Sequence, residues 1–233
     1  MKTHTSKFKT RILCGVLAMA TLGFGLQSAT GAQSSTKAEQ QIRFESSGEG
    51  SGEISIAGTS SLHDWEVIGK DIQGTLTLAP GASVQTLTDL KSALPLEAKV
   101  EVPSKSLESG KGGMDKKMFK ALEAKKYETV SFVLDSLKVN EAASPASVAA
   151  GTLTVEAKGK LTIAGKERWE VFPAQIAWLP EQETLVVAGK ADLRMTEYGI
   201  DPPRALFGTL KTGDEVTVSF RWTPRLKKGT APR

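Results

Sequence analysis

The sequence predicts an all-β protein in which eight or nine antiparallel strands follow one another, with one helix inserted, as a barrel or a sandwich. Three observations point that way. From Gly151 to Gly165, Leu153, Val155, Ala157, Gly159, Leu161 and Ile163 alternate with Thr152, Thr154, Glu156, Lys158, Lys160 and Thr162, the period of a strand with one face in a core. The pattern recurs where Leu185, Val187, Gly189, Ala191, Leu193 and Met195 alternate with Thr184, Val186, Ala188, Lys190, Asp192 and Arg194. Only one segment, 114–127, has helical spacing; most of the rest breaks at Gly, Pro and Ser into runs of strand length.

The amino terminus is read apart from the fold. Lys2, Lys7, Lys9 and Arg11 precede an apolar run from Ile12 to Leu26, and small residues follow to Ala32, the layout of a secretory signal cut after Ala32. Residues 1–32 are thus expected to be removed and the mature chain to reach the periplasm or the exterior. Of 30 Lys+Arg and 26 Asp+Glu, four basic residues leave with the signal, so the mature chain balances at 26 against 26. The basic character therefore supports no nucleic-acid partner. Cys14 leaves too, and His63 is the one histidine kept, which excludes disulfides, thiolate chemistry and multi-histidine metal sites.

Residues 33–41 read as a polar linker and 42–223 as one barrel domain. A short strand is expected at Ile42–Phe44, then a Ser/Gly segment, then a strand in which Ile54, Ile56 and Gly58 share a face. A turn follows at Thr59–Trp65, because Ser and Asp side chains bond nearby backbone. One long strand is expected from Glu66 to Leu78, with Ile72, Gly74, Leu76 and Leu78 on one face, closed by Pro80-Gly81. A Ser/Thr loop leads to Leu94, and Leu96, Ala98, Val100 and Val102 mark a strand stopped by Pro103.

The helix is expected from Met114 to Tyr127, entered through Gly110, Gly112 and Gly113, with Met114, Met118 and Leu122 on one stripe and Lys116, Lys117, Lys120 and Lys126 elsewhere. Its lysines read either as a solvated face or as an attraction for anionic head-groups. The glycines and the two methionines suit a movable cover over one end of the barrel; a permanently docked helix is the alternative. Strands follow at 129–139, 151–165, 168–178 (bent at Pro173) and 183–195, with a loop at 140–150. Asp201-Pro202-Pro203-Arg204 should stop strand pairing nearby. Val216, Val218, Phe220 and Trp222 mark the last strand, and 224–233 reads as a basic, fraying tail.

Both long strands carry small residues at mid-length, Ala157 and Gly159 in one, Gly189 and Ala191 in the other. They either relieve crowding where the wall bends or admits a helix, or they border a tunnel for an elongated apolar ligand, since interiors otherwise fill their space. An outer-membrane barrel shows the same alternation, but it would turn these small residues to lipid with two Tyr for its girdles. For acid–base chemistry the chain offers only His63-Asp64 beside Ser60 and Ser61; His63 reads better as a turn residue at the barrel rim, with Trp65 next to it. No phosphate loop, nucleophile elbow or zinc motif is present, so neither an enzyme nor a catalytic cofactor is expected.

Gly58-Thr59-Ser60-Ser61-Leu62-His63-Asp64-Trp65-Glu66, Met114-Asp115-Lys116-Lys117-Met118-Phe119 running to Lys125-Lys126-Tyr127, Phe132, Gly159-Lys160-Leu161-Thr162-Ile163-Ala164-Gly165, Gly199-Ile200 and Gly213-Asp214-Glu215-Val216 together resemble the YceI-like family, over roughly Ile42 to Trp222. The resemblance implies a lipocalin-like, extended eight-stranded antiparallel β-barrel, exported, holding a polyisoprenoid, quinone or related lipid inside. With it, the expected ligand-facing residues are Met114, Met118, Leu122, Phe132, Leu153, Val155, Ala157, Gly159, Leu161, Leu185, Val187, Gly189, Ala191, Leu193 and Phe220, with His63 and Trp65 at a polar rim and no metal. The expected partners are a lipid-like small molecule and, transiently, a membrane surface. The alternative is a packed barrel acting through its surface as a periplasmic stress or interaction module.

Overall fold

The computed structural model describes residues 41–93, 97–140, 151–205 and 210–227. The expected signal segment 1–32, the linker up to residue 40, the loop 141–150 and the tail beyond residue 227 lie outside the described residues, as do Leu94 and Leu96. In chain order the strands begin with β1 (Arg43–Ser46), β2 (Gly52–Ser60), β3 (Trp65–Gly69), β4 (Gln73–Thr77) and, after helix α1 (Leu87–Ser92), β5 (Glu97–Pro103) and β6 (Leu107–Glu108). Helix α2 (Gly112–Ala121) leads to β7 (Thr129–Val139), β8 (Thr152–Ile163), β9 (Lys166–Leu179) and β10 (Thr184–Arg194). The chain ends with β11 (Arg204–Ala205), β12 (Leu210–Trp222) and β13 (Arg225–Leu226).

Pairing closes these pieces into an eight-stranded antiparallel barrel. Three staves are broken in two at a shared bend: β1 with β2, β3 with β4, and β12 with β13; a fourth, β5, continues beyond a 3-10 turn as β6, which pairs with β3. Around the barrel the order is β1/β2, β3/β4, β5, β7, β8, β9, β10, β12/β13, and the last stave pairs with the first through β12–β2 and β13–β1. Every neighbour in space is thus a neighbour in sequence, apart from the closure, so the wall closes on itself; among the described residues β6 pairs with β3 alone. The fold is the lipocalin-like barrel that the alternation and the family resemblance imply.

The three breaks lie side by side. Gly50 N–H donates to the Lys70 carbonyl (3.0 Å) and Thr223 N–H to the Ser51 carbonyl (3.0 Å), while the hydroxyls of Ser46 and Ser51 both donate to the Ile72 carbonyl (2.9 and 2.7 Å). Trp222 Nε1 adds a bond to Ser46 Oγ (2.6 Å). Polar side chains therefore satisfy the backbone groups that a shared bend frees from the ladder. The expected single strand from Glu66 to Leu78 is accordingly two strands, although Ile72, Leu76 and Leu78 do share the buried face.

Beyond the bend the barrel is floored. Phe44, fully buried, packs edge-to-face on Trp178 (5.6 Å between centroids), among Leu78, Leu153, Val155, Leu185 and, from α1 and its C-cap, Leu90 and Ala93. The Ser/Thr composition of the segment before Leu94 predicts a loop, and the structure differs. The segment forms α1 because Thr86 and Asp89 make a reciprocal capping box, and because Leu90 and Ala93 find core to bury against. The tail also departs from expectation: Pro224 is buried and Arg225–Leu226 pairs with β1, so 224–227 belong to the wall rather than to a fraying end. Arg204 and Ala205 pair with Lys211 and Leu210, since the two prolines precede the pairing residues instead of interrupting them.

Candidate functional site

The opposite end of the barrel is the mouth. It is bordered by the β8–β9 hairpin, the turn after β10, the 59–65 turn and the start of β12, and α2 lies across it. The helix is shorter than its spacing predicts. It ends at Ala121 with Leu122 as C-cap, and Glu123 adopts a left-handed φ of 48°, so residues 122–126 continue as turns. Asp115 accepts the Ser109 N–H (2.9 Å), which ties the first turn of the helix to the strand before it.

Met114, Met118 and Leu122 face a cavity of about 340 Å³, with Ile56, Trp65, Ile163, Leu193, Ile200, Val216 and Val218 on its apolar side. None of the residues of α2 is fully buried. With so little apolar anchoring, the amides of α2 should exchange with solvent well before those of β8, and slow when a ligand fills the mouth. Hydrogen–deuterium exchange read by mass spectrometry checks this; equal protection of the two elements in the free protein would mean a permanently docked helix.

A second cavity, of about 180 Å³, lies inside the barrel. It is lined by Ile54, Val100, Leu134, Leu137, Ala157, Leu161, Val187 and others, all apolar but Ser131 and the indole of Trp222. Ile163, Leu193 and Val218 line both spaces, so the two adjoin. Inward-pointing Ile54, Val100, Leu134, Leu137, Phe172 and Phe220 keep partial accessibility, as a wall facing open space requires.

The middle of the barrel is nevertheless not the gap that small residues alone would leave. A Cβ on Gly159 would stand 2.3 Å from the Val133 carbonyl oxygen and 2.5 Å from Phe132 Cζ; one on Gly189 would stand 2.5 Å from the Pro173 carbonyl oxygen and 2.6 Å from Phe220 Cζ. Each glycine thus lies under the ring of a neighbouring strand, an arrangement known from glycines in other sheets. Phe172 links the two rings edge-to-face, at 5.4 Å from Phe132 and 6.3 Å from Phe220.

Of the residues expected to face a ligand, Phe132, Ala157, Leu161, Val187, Leu193 and Phe220 line the inner cavity. Met114, Met118, Leu122 and, again, Leu193 line the mouth, with His63 and Trp65. Leu153, Val155 and Leu185 are instead part of the packed floor, because β8 and β10 begin at the end that α1 closes. Gly159 and Gly189 lie beneath rings, and Ala191 borders neither space.

His63 forms no relay. Its Nδ1 lies 2.7 Å from the Asp64 backbone oxygen, its N–H donates to Ser60 Oγ (3.2 Å), and Ser60 Oγ donates to the His63 carbonyl (2.7 Å), all within an exposed turn. Trp65 Nε1 bonds the Thr59 carbonyl (3.0 Å), which holds the indole at the mouth.

Sequence reasoning missed Tyr198, Arg204 and Lys211. Tyr198 is 2% exposed and donates to Glu170 (2.7 Å), and Arg168 lies 3.8 Å from that carboxylate and 3.2 Å from Glu197. Burial first, then the bond to Glu170, push the Tyr198 hydroxyl well above its ordinary range, so it stays a donor at any physiological pH. Asp214 accepts from the Thr196 hydroxyl (2.7 Å) and N–H (2.9 Å), bonds that hold its carboxyl below its usual range and pin the turn carrying Tyr198. Tyr198→Phe should cost about 1–2 kcal/mol by stripping Glu170 of its donor. Urea unfolding at neutral pH measures this; an unchanged midpoint would mean that Arg168 alone satisfies Glu170.

The YceI-like domain profile matches residues 35–223. The chain belongs to the YceI-like family. Among solved structures, this YceI-like chain is similar to BcnA of Burkholderia cenocepacia (15% identity, TM-score 0.57, covering 76% of this chain and 99% of that one). It is also similar to a polyisoprenoid-binding domain from Saccharophagus degradans implicated in plant cell wall breakdown (11% identity, TM-score 0.57, covering 81% and 100%). At these identities the likeness concerns the fold. No curated protein matches the chain.

Proposed function

We propose that this YceI-like protein is an exported, non-enzymatic binding protein that carries or sequesters a long apolar ligand, a polyisoprenoid, quinone or related lipid, in its barrel. The observation that carries the reading is the apolar cavity inside the wall, adjoining a larger one under a helix with no buried residue. Each CH₂ transferred from water contributes about 0.8 kcal/mol, so such a lining needs few polar contacts to hold a chain. The family, and the polyisoprenoid-binding description of the Saccharophagus degradans domain, agree with it. Among the described residues His63, the one acid–base candidate of the sequence, is engaged in its own turn.

Titration with geranylgeraniol and with a short-chain ubiquinone, followed by tryptophan fluorescence and equilibrium dialysis, tests the reading. Saturable binding of one chain per barrel is expected; no binding of either would end it. Export is tested separately, by the amino-terminal sequence of the protein recovered from cells, which should begin at Gln33.

A second reading has its own observation. Phe132, Phe172 and Phe220 already occupy much of the barrel's middle, and 180 Å³ is below the range of about 300–1,000 Å³ usual for small-molecule sites. A barrel filled in this way would act through its surface, as a stress or interaction module. The same titration decides, since a filled barrel takes up neither probe.

A further inference from the structure

The mouth cavity has a one-signed rim. Its lining includes Lys117 of α2, Arg194 at the end of β10, Arg204 of β11 and Lys211 of β12, together with His63, and it contains no Asp or Glu. Four elements bring the two lysines and two arginines together around a mostly apolar space. Arg194 has Asp214 as an electrostatic neighbour, so it is partly neutralised. None of the ion pairs found among the described residues involves Lys117, Arg204 or Lys211. Arg204 and Lys211 face each other across the β11–β12 pair, and Lys211 is held in place at its backbone by Ser61, whose Oγ accepts its N–H at 3.1 Å.

We propose that the mouth selects an amphiphile with an anionic oxygen head, phosphate or carboxylate, whose apolar tail enters the barrel. The inference rests on the binding reading above and names the ligand class for that site. Low-dielectric apolar walls beside the cations strengthen their attraction for an anion, and a guanidinium opposite an ammonium can grip two oxygens of one head. A neutral alcohol or quinone head would leave the same cations without a counter-charge. The head would lie between Arg204, Lys211 and Lys117, and the tail would follow the residues common to both cavities, Ile163, Leu193 and Val218.

The experiment pairs heads on one tail. Equilibrium dialysis at low ionic strength compares geranylgeranyl phosphate with geranylgeraniol, and palmitate with hexadecanol, each below its aggregation concentration. At least about tenfold tighter binding of the anionic member is expected in one pair or both, a preference that shrinks as salt rises. The pair with the larger ratio identifies the head, and inorganic phosphate alone should compete only weakly because it brings no tail. In the exposed double variant Arg204→Gln/Lys211→Gln the ratio should fall toward one, and Lys117→Gln, on a different element, should lower it independently. Equal affinities within both pairs would overturn the inference while leaving lipid binding standing. A ratio unmoved by all these variants would overturn it too, and no binding of any of the four probes would remove it together with the reading on which it rests.

Discussion

Replacing Gly159 or Gly189 by leucine should destabilise the barrel by about 3 kcal/mol, the upper part of what overpacking a core usually costs. The first atom added already meets a backbone oxygen, at 2.3 Å for Val133 and 2.5 Å for Pro173, and a carbonyl held in a sheet cannot step aside. The rings of Phe132 and Phe220 would also have to leave the glycines they cover. Urea unfolding with an unchanged denaturant slope would show the loss as a lower midpoint. An open tunnel, one of the two readings of these small residues, would instead tolerate the leucine; wild-type stability in both variants would return that reading to the centre of the barrel.

The second large effect is expected at Phe172. It joins the rings of Phe132 and Phe220 and borders the inner cavity, so Phe172→Ala should cost about 3 kcal/mol, the low end for an aromatic lost from a core. Because the wall around it is a closed sheet that relaxes little, the space freed should add to the cavity. Longer prenyl chains should then bind better relative to short ones, by calorimetry across geraniol, farnesol and geranylgeraniol. Lower stability with an unchanged chain-length preference would mean that the tail stops in the mouth, above the rings.

The alternation in 151–165 and 184–195 made the wall legible because a strand with one wet face writes its burial directly into every second residue. The helix over the mouth was legible from its Met114, Met118 and Leu122 stripe, though the left-handed turn at Glu123, a residue with no preference for that conformation, hid its end. Helix α1 carried a readable signal in Thr86 and Asp89, outweighed by the Ser/Thr composition around them. The filling of the barrel was not legible, because whether a glycine is open or covered depends on a ring from another strand. Phe220 lies opposite Gly189 in register, and Phe132 lies diagonal to Gly159. The basic rim was hidden for the same reason: Lys117, Arg204 and Lys211 meet only once the barrel closes.

The most direct measurement of the central claim, that the barrel holds an apolar chain, is native mass spectrometry of the protein purified without detergent from the cells that make it, followed by organic extraction of the same sample. We expect a population heavier than the mature chain by the mass of one prenyl or acyl lipid, released intact on extraction. A single species at the mass of the bare chain, unchanged after incubation with prenyl and acyl lipids, would contradict it.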